Sequence, residues 1–366
     1  MEPKKPKMLP VVFLLGTTGV GKSKLSLDLA ERLNGEIVNA DSMQVYGGNL
    51  GVMTAKPTME ERARVPHHLY DVVDMHTKDF NVNKYLSLAL PAIADIHSRH
   101  KLPIVVGGTN YYIEGLLFDN QQPEAPPDWE AFHLGISQAQ ADLPSDFTEL
   151  LADFDEHIPL DNKSAIEAKY SSHPDTLHAL LTLVDPKLGE YLHRRDTRRV
   201  INALVRHFKN SPGEGQMVVR YYPVMVWLSA SPGVLEERIG RRIGQMIGEQ
   251  GGLDEIISLF DAHQHPTTSA EPLDFEKGLL QAIGYKEFYP YYLLLKSGVP
   301  PTEDDLQQAK ARLQQKTIEY TKYQIKWLEK RIGRAFAGDS GLLLRVELDD
   351  PKEYESKALT RALEHF

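Results

Sequence analysis

Val11-Val-Phe-Leu-Leu-Gly16-Thr-Thr-Gly-Val-Gly-Lys-Ser23 decides the fold. An unbroken apolar run halted by a glycine reads as a strand buried on both faces of a parallel sheet, because a strand with one wet face would alternate. The next residues have the G-x-x-x-x-G-K-S spacing. From Lys22 onward, apolar side chains recur at Leu25, Leu27, Leu29, Ala30 and Leu33, predicting a helix that Asn34-Gly35 closes. A loop between such a strand and such a helix is a phosphate cradle. The backbone N–H groups of Gly16, Thr17, Thr18, Gly19, Val20 and Gly21 wrap phosphate oxygens and the helix N-terminus adds positive potential. Lys22 neutralises charge, and the Ser23 hydroxyl suits Mg²⁺. Any organic diphosphate would satisfy this loop as well as ATP, so it identifies phosphates and not chemistry.

Working outward, Glu36-Ile-Val-Asn-Ala40 predicts a second strand with Asp41 just past its end. A helix is expected over 86–97 and a strand over Ile104-Val-Val106, ending in Gly107-Gly108. Strands alternating with helices give an α/β fold, a P-loop NTPase-like parallel sheet flanked by helices. After Asp119 comes a proline-rich join over 121–127, then helical periodicity to about residue 207. Tyr222–Ser229 reads as a return to the sheet, Ser231-Pro232 as a capped helix start, and 341–348 as a last strand. Long helical patterns cover 234–247 and 304–332. The expected organisation is a catalytic core from 1–119 and 216–350, an inserted helical substrate domain over 120–215, and a polar tail over 351–366.

Composition narrows the classes. With 366 residues, 42% hydrophobic and 25% charged, the chain reads as an ordinary globular protein of two domains, or of one with a large insertion. Its apolar stretches fall far short of the roughly 18 to 20 residues that span a bilayer. The basic N-terminus lacks the features of a signal peptide, so the expected compartment is the cytoplasm, with the mitochondrion left open. The absence of cysteine excludes disulfides, thiolate metal sites and a cysteine nucleophile. A net charge of −10 speaks against holding nucleic acid by a bulk positive field, so any such contact is local. The stretch 120–190 has fourteen acidic residues against three basic, and Arg194, Arg195, Arg198, Arg199 and Arg206 follow it on helical spacing.

Asp41, at the carboxyl end of a strand, falls in the crevice where open α/β sheets bind ligands. It reads either as a helix cap or as a general base or hydrogen-bond acceptor close to the bound phosphates. A nucleotide hydrolase would carry an acid at the end of the 104–106 strand, but Gly107-Gly-Thr-Asn110 follows there and no acid appears before Glu114. His67 and His68 are adjacent, lack an evident third ligand and read as structural or as lying near the substrate-facing crevice.

Six ordered motifs carry a resemblance: the phosphate loop, Asn39-Ala-Asp-Ser-Met-Gln-Val-Tyr46, Thr54-Ala-Lys-Pro57, Pro66-His-His-Leu69, Pro103-Ile-Val-Val-Gly-Gly-Thr-Asn-Tyr-Tyr112 and Gln281-Ala-Ile-Gly-Tyr-Lys-Glu-Phe288. Together they resemble the tRNA dimethylallyltransferases, also called tRNA isopentenyltransferases, and most of all their eukaryotic branch. The resemblance implies transfer of a dimethylallyl group from its diphosphate to N6 of the adenine 3′ to the anticodon, with Mg²⁺ as cofactor, the anticodon stem-loop as partner and a monomeric enzyme. It implies Asp41 as base, Thr109 beside the diphosphate and the nucleophile, and Arg242 on the leaving group with Arg238 one turn before. It further implies Ser42, Met43 and Gln44 near the adenine, and Arg198 and Arg199 on tRNA. Ile318 and Tyr323 stand where the family often has arginine. Two other readings stay open: an adenylate isopentenyltransferase acting on free AMP, ADP or ATP, and a P-loop NTPase or kinase.

Overall fold

The computed structural model describes residues 8–48, 50–119, 173–208, 218–263, 273–298, 300–339 and 341–366. Two compact units divide the chain, Met1–Asp119 with Val219–Phe366, and Asn120–Val218. The expected acidic helices of residues 120–172 and the proline-rich join lie outside the described residues.

In the first unit, strands β1 (Pro10–Leu15), β2 (Gly35–Asn39), β3 (His67–His68), β4 (Leu102–Val106), β5 (Tyr222–Ser229) and β6 (Leu343–Glu347) form a sheet in the order β3-β2-β4-β1-β5-β6. Every pairing is parallel, with Val12 opposite both Ile104 and Val224. The run Val11–Leu15 is at most 1% exposed because the sheet is covered on both sides. Val11, Phe13 and Leu15 pack with Tyr85, Ala89 and Ile93 of the helix Val82–Ser98. Val12 and Leu14 pack on the other face with Leu25 and Leu29 of the helix Lys22–Arg32. Burial of such side chains stabilises by about 1.5 to 3 kcal/mol each, which is why a plain apolar run suffices to set the centre of the sheet.

Two elements depart from the expectations. The edge strand β3 is a pair of histidines without hydrophobic periodicity, and it forms because Ile37 and Val38 offer it backbone partners. His68 Nε2 lies 2.7 Å from Glu36 Oε2, and Glu36, itself 1% exposed, also pairs with Arg99 and, at 2.9 Å, with Lys101. Those partners, Arg99 foremost, hold the Glu36 carboxyl well below the usual carboxylate range. Residues 351–366, expected as a polar tail, instead form helical turns that bury Tyr354, Ala358, Leu359 and Ala362 in the same cluster as Leu25 and Leu29. Tyr354 donates to Asp28 Oδ2 at 2.5 Å, and Lys24 Nζ sits 3.6 Å from the centre of its ring. Four apolar residues on one stripe of a short segment are enough to dock it on the helix Lys22–Arg32.

A third cluster joins the helices Pro232–Gly248, Gly252–His263, Tyr285–Lys296 and Glu303–Leu328 around Val45, Tyr46, Leu50 and Met53. Glu255 accepts the N–H groups of Val52 at 2.8 Å and Met53 at 3.0 Å, so this cluster also fixes the loop after β2. Ser231 stands at the N-cap as expected but makes no side-chain cap bond; its N–H donates to Asp349 Oδ1 at 2.7 Å. In the second unit, the helices Pro174–Val184 and Thr197–Phe208 pack together, burying Leu177, Leu180 and Leu181 with Val200, Ile201 and Leu204. Among the described residues, no helix is long and apolar enough to cross a membrane.

Candidate active site

A cavity of about 1490 Å³ opens at the carboxyl ends of the strands in the first unit. Gly16 begins the phosphate loop with φ 135°, a conformation that favours glycine, and a side chain there would run into the carbonyl of Leu228. Thr17, Thr18, Gly19, Gly21, Lys22 and Ser23 line the cavity. Gly16 and Val20, expected to share in phosphate binding through their backbone N–H groups, do not line it. The Gly16 carbonyl accepts from Lys22 Nζ at 2.9 Å, and the Val20 side chain is 1% exposed in the hydrophobic core. Lys22 also donates to Thr17 O at 2.7 Å. Burial pulls its ammonium down to about 8; Asp41 opposes that shift and Arg242 adds to it.

The helix Pro232–Gly248 supplies two further cations. Arg238 and Arg242 are one turn apart and both line the cavity, whereas adjacent Arg241 is exposed and pairs with Glu237. Helical geometry therefore selects Arg242 over its neighbour. Arg242 Nη1 lies 3.4 Å from Thr18 Oγ1, and Arg238 Nη2 donates to Asp349 O at 3.1 Å. Burial lowers the Arg242 guanidinium, with Asp41 opposing, so the carboxylate and the cations act on one another across the cavity.

Asp41 follows β2 and opens a turn, not a helix: its Oδ1 accepts the N–H of Met43 at 2.9 Å, and its own N–H donates to Asn39 Oδ1 at 2.9 Å. Thr109 reaches the same place from the end of β4. Its N–H donates to Ala40 O at 3.0 Å, and its hydroxyl accepts the N–H of Ser42 at 2.8 Å and lies 3.0 Å from Ser42 Oγ. That approach requires Gly107, where a side chain would collide with the backbone of Ala40. Met43 also lines the cavity, as does Gln44, whose amide donates to Thr54 O at 2.9 Å and Ala55 O at 3.1 Å and so braces the loop.

Two further residues come from the helix Glu303–Leu328, and no motif pointed to them. Gln324 is fully buried, accepting the N–H of Thr18 at 3.1 Å and donating to Gly108 O at 2.9 Å. It ties the phosphate loop to the Asp41 side. Tyr320 donates to the same Gly108 carbonyl at 3.0 Å. Burial first, and the charge of Asp41 second, push the Tyr70 and Tyr320 phenols above the ordinary tyrosine range, so they stay protonated. The signal that would have found Gln324 is a polar residue on the inward stripe Leu313-Thr317-Thr321-Gln324-Leu328.

Arg198 and Arg199 belong to the second unit, on the helix Thr197–Phe208. Arg199 is exposed and lies 3.4 Å from Asp196. No cluster of three metal-ligating side chains occurs among the described residues, but Mg²⁺ beside a diphosphate needs little more than the exposed Ser23 hydroxyl, with phosphate and water oxygens completing its shell.

Positive groups on one side of the cavity and a carboxylate with hydroxyls on the other suit transfer of a group away from a diphosphate to a nucleophile that loses a proton. A family model described as IPP transferase matches residues 44–331. The tRNA dimethylallyltransferase of Saccharomyces cerevisiae is 30% identical over 96% of this chain and 74% of its own length. That of Bacillus velezensis is 34% identical over 90% of each chain. A crystal structure described as a eukaryotic dimethylallyltransferase acting on tRNA matches 97% of this chain and 78% of its own, with a TM-score of 0.72 and 29% identity.

Proposed function

The chain belongs to the IPP transferase family, and from that premise we propose that Asp41 and the phosphate loop divide one reaction, transfer of a dimethylallyl group from its diphosphate to N6 of an adenine in tRNA. The protein is an enzyme, and its activity is dimethylallyl transfer to tRNA. The acceptor atom and the assignment of roles are our reading. What carries it is the single cavity that holds Lys22, Arg238 and Arg242 together with Asp41 and Thr109.

The bond between the allylic C1 and the diphosphate oxygen breaks easily because the cation is delocalised, so the enzyme's main task is to receive negative charge on the leaving group. The N–H groups of residues 19–23, Lys22 and the two arginines are placed for that, the Thr18 N–H being taken by Gln324, and they cost no reorganisation as the charge develops. Mg²⁺ held beside Ser23 would add neutralisation of the diphosphate. Adenine N6 attacks C1 and gives up a proton to the Asp41 carboxylate. The N–H of Met43 on Oδ1 fixes that carboxylate while Oδ2 stays next to Gly108. Thr109 and Ser42 offer hydroxyls between the two halves. The 3′ neighbour of the anticodon is the proposed position of the acceptor. Labelled dimethylallyl diphosphate offered in parallel to an anticodon stem-loop and to AMP and ATP tests this. Label is expected on the stem-loop at N6, and label on free nucleotide alone would overturn the reading.

A further inference from the structure

The helix Glu303–Leu328 carries an aromatic stripe that the reaction, as described, uses only at its inner end. Tyr320, Tyr323 and Trp327 follow at spacings of three and four, so they share one helix face. The rings of Tyr320 and Tyr323 stack with centroids 6.3 Å apart and planes inclined by 19°. Tyr320 is anchored by its bond to Gly108 O, beside Asp41, while Tyr323 lines the cavity and is 49% exposed. Beyond it, Tyr111, 45% exposed, meets Trp327 edge-on at 5.9 Å. The contrast with the neighbouring helix is sharp: there Tyr285, Phe288 and Tyr292 are at most 1% exposed and serve the core.

An exposed ring at the mouth of a site has a physical use. Every nucleobase has a π-face, and stacking binds it without positive charge. Among the described residues, the acceptor side of this cavity is poor in unpaired cations: Lys316, on the same helix, lies 3.1 Å from Glu319, the buried Lys56 lies 2.6 Å from Asp71, and Lys22 and Arg242 stand against the phosphate loop. A chain of net charge −10 gains little from long-range attraction to phosphates.

We propose that Tyr323, backed by Tyr320, is a positioning residue: the shelf on which a nucleobase of the acceptor RNA, either the acceptor adenine or its neighbour, stacks as N6 approaches Asp41. The proposal rests on the RNA-directed reading above. Tyr323→Ala is expected to raise KM for an anticodon stem-loop about tenfold while leaving KM for dimethylallyl diphosphate unchanged, as loss of one stacked base implies. Tyr323→Phe keeps the ring and is expected to restore the wild-type KM; Tyr323→Leu, apolar but without a π-face, is not.

The two sources of the base are separated by 2-aminopurine placed either at the acceptor position or beside it. Its fluorescence is quenched on binding to the wild type, and that quench is lost in Tyr323→Ala, only at the position that stacks. Unchanged stem-loop KM in Tyr323→Ala would overturn the shelf, as would a Phe variant as impaired as the Ala variant, which would assign the role to the hydroxyl. A wild type that prenylates no RNA would overturn the functional reading and the shelf with it. A wild type active on RNA with an indifferent Tyr323→Ala overturns the shelf alone.

Discussion

The two walls of the cavity are built in opposite ways. The wall proposed to hold the diphosphate is mostly one stretch between Thr17 and Ser23, in which backbone amides and a helix terminus would do the binding and Lys22, Arg238 and Arg242 would contribute charge. The acceptor wall is assembled from the ends of β2 and β4 and from a helix about 300 residues downstream of the loop, with Gln324 spanning the gap to Thr18. A wall made of consecutive backbone survives most side-chain changes outside its signature. A wall assembled from distant elements depends on the register of each. Substitutions on the two walls should therefore fail in different ways.

The largest effect is expected at Asp41. Asp41→Asn keeps the size of the side chain and its bond from Met43, but it cannot take a proton, so turnover should fall by about 10² to 10⁴-fold. Steady-state assay with a stem-loop checks it, and an active variant would return Asp41 to the role of a turn former. Lys22→Ala comes next. Loss of a charge-assisted contact of about 1.5 to 3 kcal/mol should weaken diphosphate affinity by about 10- to 150-fold, read by titration with a non-reactive thio-diphosphate.

Gln324→Ala tests whether the walls are coupled. It strands the Thr18 N–H and the Gly108 carbonyl, so the denaturation midpoint should fall by an amount equivalent to about 1 to 3 kcal/mol, with kcat reduced although no catalytic group is touched. A variant of wild-type stability and kcat would show the walls to be independent. The smallest effect concerns pH. The buried Lys22, lowered to about 8, is charged below that value and neutral above it, and only the charged form neutralises a diphosphate. Diphosphate affinity should weaken as pH rises through 8, with uptake of a proton on binding, and Lys22→Arg should flatten the profile.

The same contrast explains what was legible in the sequence. The β1 strand, the phosphate loop and its helix could be read directly because all their determinants are adjacent: an apolar run, glycines, then Lys22 and Ser23 at fixed spacing. Asp41 could be placed past a strand, yet its partners could not, since the meeting of Ala40 with Gly107 depends on β2 and β4 lying side by side. The resemblance picked out Arg242, but composition and spacing around it do not separate it from Arg241; the packed face of the helix does. Gln324 looked like one polar residue among many on a long helix. The strand His67–His68 and the docked segment 351–366 escaped notice because a two-residue strand has no period and four apolar residues make too short a stripe.

The claim at the centre is that the walls divide the labour, one holding the diphosphate and the other taking the proton. It is tested most directly by titrating dimethylallyl thio-diphosphate into Asp41→Asn and Lys22→Ala side by side. The expected result is wild-type affinity for Asp41→Asn and affinity at least about tenfold weaker for Lys22→Ala. Equal loss in both variants would contradict the division and make Asp41 part of the diphosphate or Mg²⁺ site instead.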